Sequence, residues 1–349
     1  MRASFRLFTN VASKRSAGLP TEVKDLFAVL RGEALTKLPS FQTSHLFSLL
    51  WSYSNTGTLD NEMKSAINDE LQRRAASLDG QSSCSRSQVS AEREISSKAG
   101  DSVSILADFD DWVVVSKPAY MSVSVDGDLS STRESHSEED SHDDASKTDC
   151  VPDMARWVSL NLCGRISTDR LHAHGILHRL DLLTSGALLV AKTYKGFYDL
   201  RVQFATGKIG KEYLALVHGR VTEELRMSER LHVSHVFDSL GKPVASKTQV
   251  VTQGGKPALT IAKVSKLYAS YTLLSVQIFT GRTHQIRAHL AHAGYPIVGD
   301  FKYGDAVENP ITKRTFLHCS ALSFNSADQH NIRVEAPLPD DLKLTLTLI

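Results

Sequence analysis

The sequence predicts an α+β fold: a mixed, mostly antiparallel sheet with a small helical region before it. Three observations predict it. Strand-like segments follow one another from residue 101 to 349 with few helical ones between them, whereas a doubly wound sheet alternates the two. Several of these segments alternate apolar and polar residues, as in "YTLLSVQIF" at Tyr271–Phe279. Residues 1–79 carry helical spacing instead.

In "FQTSHLFSLLWSYSNTG", Leu46, Leu49, Leu50 and Tyr53 fall on one helical stripe that Asn55-Thr56-Gly57 stops. "NEMKSAINDELQRRAASL" follows, with Met63, Ile67 and Leu71 on one stripe. The Ser-rich stretch 80–100 reads as a linker to a domain at 101–349. In that domain "DWVVVSKPAYMSV" is a β-branched strand that Pro118 ends. The acidic stretch 126–149 has no large apolar residue but Leu129, cannot offset its ordering entropy and reads as a disordered insertion. "GILHRL" and "GALLVAK" read as strands, and "KGFYDLRVQFATG" as a helix. "KEYLALVHGRV", "VASKTQVVT", "KPALTIAKVSKL" and "YTLLSVQIF" read as further strands. "TGRTHQIRAHLAHAGYP" reads as a helix that Gly294 and Pro296 stop, and "TFLHCSALSF" and "IRVEAPLP" close the chain.

Composition excludes several classes. The 349 residues carry a net charge of +1, so no global field points to nucleic acid or membrane, although local patches can. No apolar run approaches the roughly 18 residues of a membrane span. Cys84, Cys150, Cys163 and Cys319 form no CxxC pair, which argues against a disulfide framework or structural zinc. The start, "MRASFRLFTNVASKRSAGLPTE", is basic and free of acids before Glu22, and it resembles an organelle transit segment. A mitochondrial or plastid location is one expectation, and a cytoplasmic or nuclear one the other.

Two clusters carry chemistry. In "GILHRLDLLTSGALLVAK" Asp181 follows one expected strand and precedes a turn at Thr184-Ser185-Gly186, where Gly186 can take a positive φ. A carboxylate so placed can serve as nucleophile, general base or metal ligand. No second acid lies nearby to make a glycosidase pair, and Arg179 sits two residues back on the same expected strand face. The second cluster is "TGRTHQIRAHLAH". Arg282 and Arg287 stand at the start of the expected helix, with His284, Gln285, His289 and His292 as further donors. This suits a phosphate or carboxylate. The histidine spacings of five and three do not gather three metal ligands on one face, so no metal is expected.

Together the two clusters resemble the hallmark segments of RluA-type pseudouridine synthases. "ILADFDDWVVVSKPAYMSV", "GKEYLALVHGRV", "FLHCSALSF" and "VEAPLPDDL" agree with that family in order and spacing, over residues 103–345. Residues 1–79, through "LLWSYSNTG", resemble the helical repeats of octotricopeptide or FAST-kinase-like proteins. The first resemblance implies isomerisation of uridine to pseudouridine in RNA without a cofactor, ribosomal RNA being the family's commonest substrate; a monomer without metal is the accompanying expectation. It implies Asp181 as nucleophile, Tyr213 as the ring stacked on uracil and Arg287 as the ion-pair partner of the aspartate. It further implies that His178, Arg179, Thr184, Arg282, His284 and Gln285 bind RNA. One departure stands out: Tyr120 occupies the place where the family has glycine after Lys-Pro-Ala. The competing reading is a catalytically silent RNA-binding protein on the same fold. Taken alone, Tyr213 reads as core and Arg287 as a surface charge.

Overall fold

The computed structural model describes residues 21–80, 102–123, 152–237, 243–304, 311–326 and 330–349. The transit-like start, nearly all of the expected linker and the acidic insertion lie outside the described residues.

The N-terminal part is helical as its periodicity predicts. Helices α1 (Thr21–Lys37), α2 (Thr43–Thr56) and α3 (Asn61–Asp79) follow one another, and Gly57 ends α2 at φ 69°. Strands β1 (Ser104–Asp108) and β2 (Trp112–Lys117), helix α4 (Met154–Asn161), strand β3 (Ser185–Ala191) and helix α5 (Tyr194–Ala205) come next. They are followed by β4 (Gly210–His218), β5 (Leu225–Met227), β6 (Arg230–Phe237), β7 (Pro243–Val251), β8 (Thr260–Leu267) and β9 (Tyr271–Ile278). The chain closes with α6 (Gln285–His292), β10 (Leu317–Asn325), β11 (Asn331–Glu335) and α7 (Asp340–Thr347).

The main sheet runs β1-β2-β3-β10-β4-β9-β8-β5, with β11 on β10. All its pairings are antiparallel except β3 with β10. The mixed, mostly antiparallel expectation therefore holds. β6 and β7 form a separate hairpin, of which only β7 was legible in the sequence.

The parallel pairing sets the geometry of the centre. Lys117, Gly186, Cys319, Tyr213 and Val276 lie in one row across five strands. β3 is buried along its whole length. At Gly186, with φ 120°, an added Cβ would stand 2.2 Å from the Cys319 carbonyl oxygen. Only glycine lets the two strands approach so closely.

The helical region is built onto the sheet domain. The Asp79 carboxylate, at the end of α3, accepts the backbone N–H groups of Tyr194 and Lys195 at 3.1 Å each. It thus meets unpaired donors at the positive end of α5. Gln72 donates to Asp199 at 2.6 Å. Buried residues of α2 and α3 and those of the sheet belong to one hydrophobic core.

Three local expectations are corrected. "GILHRL" is not a strand: after Ala173, His174 and Gly175 in positive φ, only Ile176 bridges β3, at Val190. β2 takes one edge of β3, and the start of the edge that Ile176 touches is taken by β10, from a distant part of the sequence. The turn is one step earlier than expected, with Thr184 N–H donating to the Asp181 carbonyl at 3.0 Å, and Ser185 and Gly186 already open β3. Helix α6 begins only at Gln285, because the Gln285 side chain ties Thr280 and the Arg282 N–H into a loop and His284 has φ 50°. Arg282 therefore precedes the helix.

Gly186→Ala is expected to cost about 3 kcal/mol or more through clash and backbone strain. Gly207→Ala, at φ 67° in open space, is expected to cost about 1 kcal/mol. Urea unfolding midpoints of the two variants check the difference, and equal costs would contradict the close β3–β10 approach.

Candidate active site

Asp181 sits in a tight loop that several buried groups hold. Lys117, fully buried at the end of β2, donates from Nζ to the carbonyls of Pro118 at 2.6 Å, Met121 at 3.0 Å and Leu182 at 3.4 Å. Burial lowers its pKa to about 7. Arg314, also buried, donates to the Leu183 carbonyl at 2.9 Å and to Ser185 Oγ at 3.1 Å, and it pairs with Asp341 at 2.6 Å. Tyr120 N–H donates to the Leu182 carbonyl at 2.8 Å. Tyr120 holds φ 60° here, a conformation costing an L side chain about 1–2 kcal/mol. That strain explains why glycine is the easier residue at this place.

Arg287, on α6, faces two carboxylates. Its Nε and Nη2 donate to Asp300 at 2.6 and 2.8 Å, a bidentate pair in which the Asp300 side chain is fully buried. Its Nη1 donates to Asp181 Oδ2 at 3.3 Å. Among the described residues, Oδ1 of Asp181 receives no hydrogen bond. Burial alone would raise the Asp181 carboxyl. Its neighbours outweigh burial and hold its pKa below the usual 3.8: His284 where that ring is protonated, and the permanent charges of Arg287 and Arg179. Asp181 is thus ionised at neutral pH while its side chain is only 18% exposed.

Arg287 is thus shared between two carboxylates. Asp300 was missed in the sequence, although it lies four residues past the "TGRTHQIRAHLAHAGYP" stretch. Tyr303 was missed as well. Its ring lies 5.0 Å from the Arg287 guanidinium carbon, and its hydroxyl meets His284 Nδ1 at 2.9 Å and accepts the Thr248 N–H at 2.8 Å.

All nine residues singled out in the sequence line one open cleft of about 730 Å³. They do not line it alike. Tyr213 is 5% exposed, and burial, with Cys319 and Asp181 adding to it, pushes its phenol well above the ordinary value. Gln285 is committed internally: it accepts from Thr280 Oγ1 and the Arg282 N–H, and donates to the Leu259 carbonyl and Thr260. It shapes the loop. His178 accepts the Leu189 N–H at 3.2 Å, and burial lowers its pKa to about 3, so it is uncharged. His284 is likewise lowered by burial, to about 4. Arg179 is exposed, and Arg282 donates through Nε to the Pro257 carbonyl at 3.0 Å. Thr184 is buried in the turn after Asp181.

Lys211 also lines the cleft. It lies two residues before Tyr213 on the same face of β4, is 9% exposed, and has a pKa lowered by burial to about 8. A lysine at an inward position of an alternating strand was the available signal.

Comparison with known proteins identifies the family. Residues 111–292, just over half of the chain, match the family model described as RNA pseudouridylate synthase. Ribosomal large subunit pseudouridine synthase C of Salmonella typhi is 37% identical over 182 residues, covering 50% of this chain and 56% of that protein. Ribosomal large subunit pseudouridine synthase D of Nitrosomonas europaea is 37% identical over 185 residues, covering 50% and 51%. The chain spans about half the length of the curated relatives it matches. Among solved structures, Human RNA Pseudouridylate Synthase Domain Containing 1 aligns with a TM-score of 0.47 at 25% identity, covering 71% of this chain and 89% of that one.

Replacing Arg287 by methionine strands two carboxylates and is expected to cost about 3–5 kcal/mol. The pH dependence should also reverse. In the wild type, the depressed Asp181 pKa contributes stability present above 3.8 and lost as pH falls through the lower folded value. Without Arg287, burial prevails, the folded value rises above 3.8, and stability is lost as pH rises instead. Denaturant unfolding between about pH 3 and pH 7 measures both slopes.

Proposed function

The chain belongs to the RNA pseudouridylate synthase family, RluA type, and from that premise we propose that it isomerises uridine to pseudouridine in RNA through Asp181. The observation that carries the reading is an ionised, nearly buried carboxylate in a cleft whose other charged walls are cationic.

The reaction breaks the N1–C1′ glycosidic bond, turns the uracil and joins C5 to C1′. In one route the Asp181 carboxylate attacks C1′ as the bond to N1 breaks, and the electron pair leaves on the uracil. After rotation C5 attacks C1′, the carboxylate leaves, the C5 proton passes to a base, and N1 takes up a proton, so that the product is an isomer of the substrate. In the other, Asp181 takes the C2′ proton to form a glycal as the uracil leaves, and returns it when C5 adds. Both routes need the carboxylate charged at the start, which the Arg287 pair favours. Neither route has a net redox change, so no external oxidant or reductant enters.

The target base is inaccessible inside a helix and must be flipped out. Tyr213 offers a ring for it, worth roughly 1–3 kcal/mol of stacking. Its raised phenol pKa favours this role over that of a phenolate base for the C5 proton. Arg179 and Arg282 suit the RNA backbone, with His284 and Thr184 nearer the aspartate loop. We propose that it acts as a monomer. The relatives are named for the large ribosomal subunit, so ribosomal RNA is the substrate class proposed.

Wild-type protein incubated with modification-free total RNA is expected to form pseudouridine at discrete positions mapped at single-nucleotide resolution. Asp181→Ala should form none, a loss of at least about 10³-fold, while still binding RNA. If neither protein forms any while both bind, the silent RNA-binding reading replaces this one.

A further inference from the structure

Helix α2 has two different faces. Leu46, Leu49, Leu50 and Tyr53 are buried in the core. Ser44, Phe47, Ser48 and Trp51, at spacings of three and four, instead line the Asp181 cleft. A second depression, about 560 Å³, shares Ser44, Phe47 and Arg201 with the first and continues past Arg73 and Arg74. The two form one groove that starts at the aspartate and follows the seam between the helical region and α5.

The groove has the chemistry of a polyanion track. The charged side chains lining its two parts are seven cations and one carboxylate, Asp181 itself. Glu70 neutralises part of Arg73 and Arg74. The Arg201 guanidinium carbon lies 5.1 Å from the centre of the Phe47 ring. Trp51 and Phe47 are only partly buried, and among the described residues no ring stacks on Trp51. Large rings beside cations and hydroxyls, open to a channel, suit unstacked bases joined by phosphates. A peptide-binding groove would be expected to be more apolar and less uniformly charged.

We propose that this face of α2 seats the single-stranded RNA flanking the target uridine, with Trp51 and Phe47 as stacking rings, so that the helical region takes part in substrate selection. The inference rests on the function proposed above. It adds a substrate-binding surface outside residues 111–292, the part matched by the family model.

The test uses the full chain and three variants. Binding is measured on a uridine oligoribonucleotide about twelve nucleotides long, and turnover on modification-free total RNA. Trp51→Leu keeps apolar bulk but removes the ring. It is expected to weaken oligonucleotide binding about tenfold and raise KM similarly, with kcat kept within about twofold. Trp51→Phe should stay within about threefold of wild type. Ser44→Glu, at an exposed position, adds an anion to the groove and should weaken binding by a factor that shrinks with salt. It supplies the same test should Trp51→Leu not fold. Wild-type binding and KM in both Trp51→Leu and Ser44→Glu would overturn the proposal. If the wild type forms no pseudouridine anywhere and these two variants still lose oligonucleotide binding, the groove stands and the catalytic reading falls.

Discussion

The guanidinium of Arg287 divides its donors between two carboxylates, and the site depends on that division. Two of its nitrogens lock onto the buried Asp300, and the third reaches Asp181. A single buried ion pair gives little net stability, because desolvation consumes the Coulombic gain. Here the bidentate pair anchors the cation, and one outward donor can then keep the second carboxylate ionised in a place where burial alone would protonate it. Asp300 itself accepts the backbone N–H groups of Lys302 and Tyr303, so the anchor is tied to the loop that carries it.

The loop of Asp181 has a matching set of restraints. Lys117 and Arg314 are buried basic side chains whose donors meet the carbonyls of Leu182 and Leu183. Such groups are costly to bury, and satisfied hydrogen bonds make them tolerable. In return a short loop is fixed from the two strands that flank it, and the carboxylate has little freedom to collapse onto its neighbours. The strained Tyr120 backbone belongs to the same arrangement, since its N–H meets the Leu182 carbonyl.

Much of the fold was legible because periodicity reports burial directly. The alternation in "YTLLSVQIF" and the helical stripe of Leu46, Leu49, Leu50 and Tyr53 each became the element expected. Elements failed where a distant partner decided the outcome. "GILHRL" has strand composition, but it pairs with β3 only at Ile176, because β10 takes the start of that same edge at Ser185 and Gly186 and β2 takes the opposite one. That Gln285 braces its loop was not legible, because its partners Leu259 and Thr260 lie about 25 residues earlier in the chain.

By itself the sequence determined the class of fold, the two segments that carry the chemistry and the nine side chains that meet in the cleft. The fold class and the two segments follow from local patterns, and the nine side chains from the resemblance that those segments carry. Only the tertiary structure decided that Arg287 is shared with Asp300, that Lys211 faces the cleft and that α2 walls it. Each of these depends on groups far apart in the chain whose charges and rings are brought within a few ångströms by the parallel β3–β10 pairing and by the docking of α3 on α5. Electrostatic coupling and stacking fall off over such distances, so they are set by position in space, and residue spacing does not encode them.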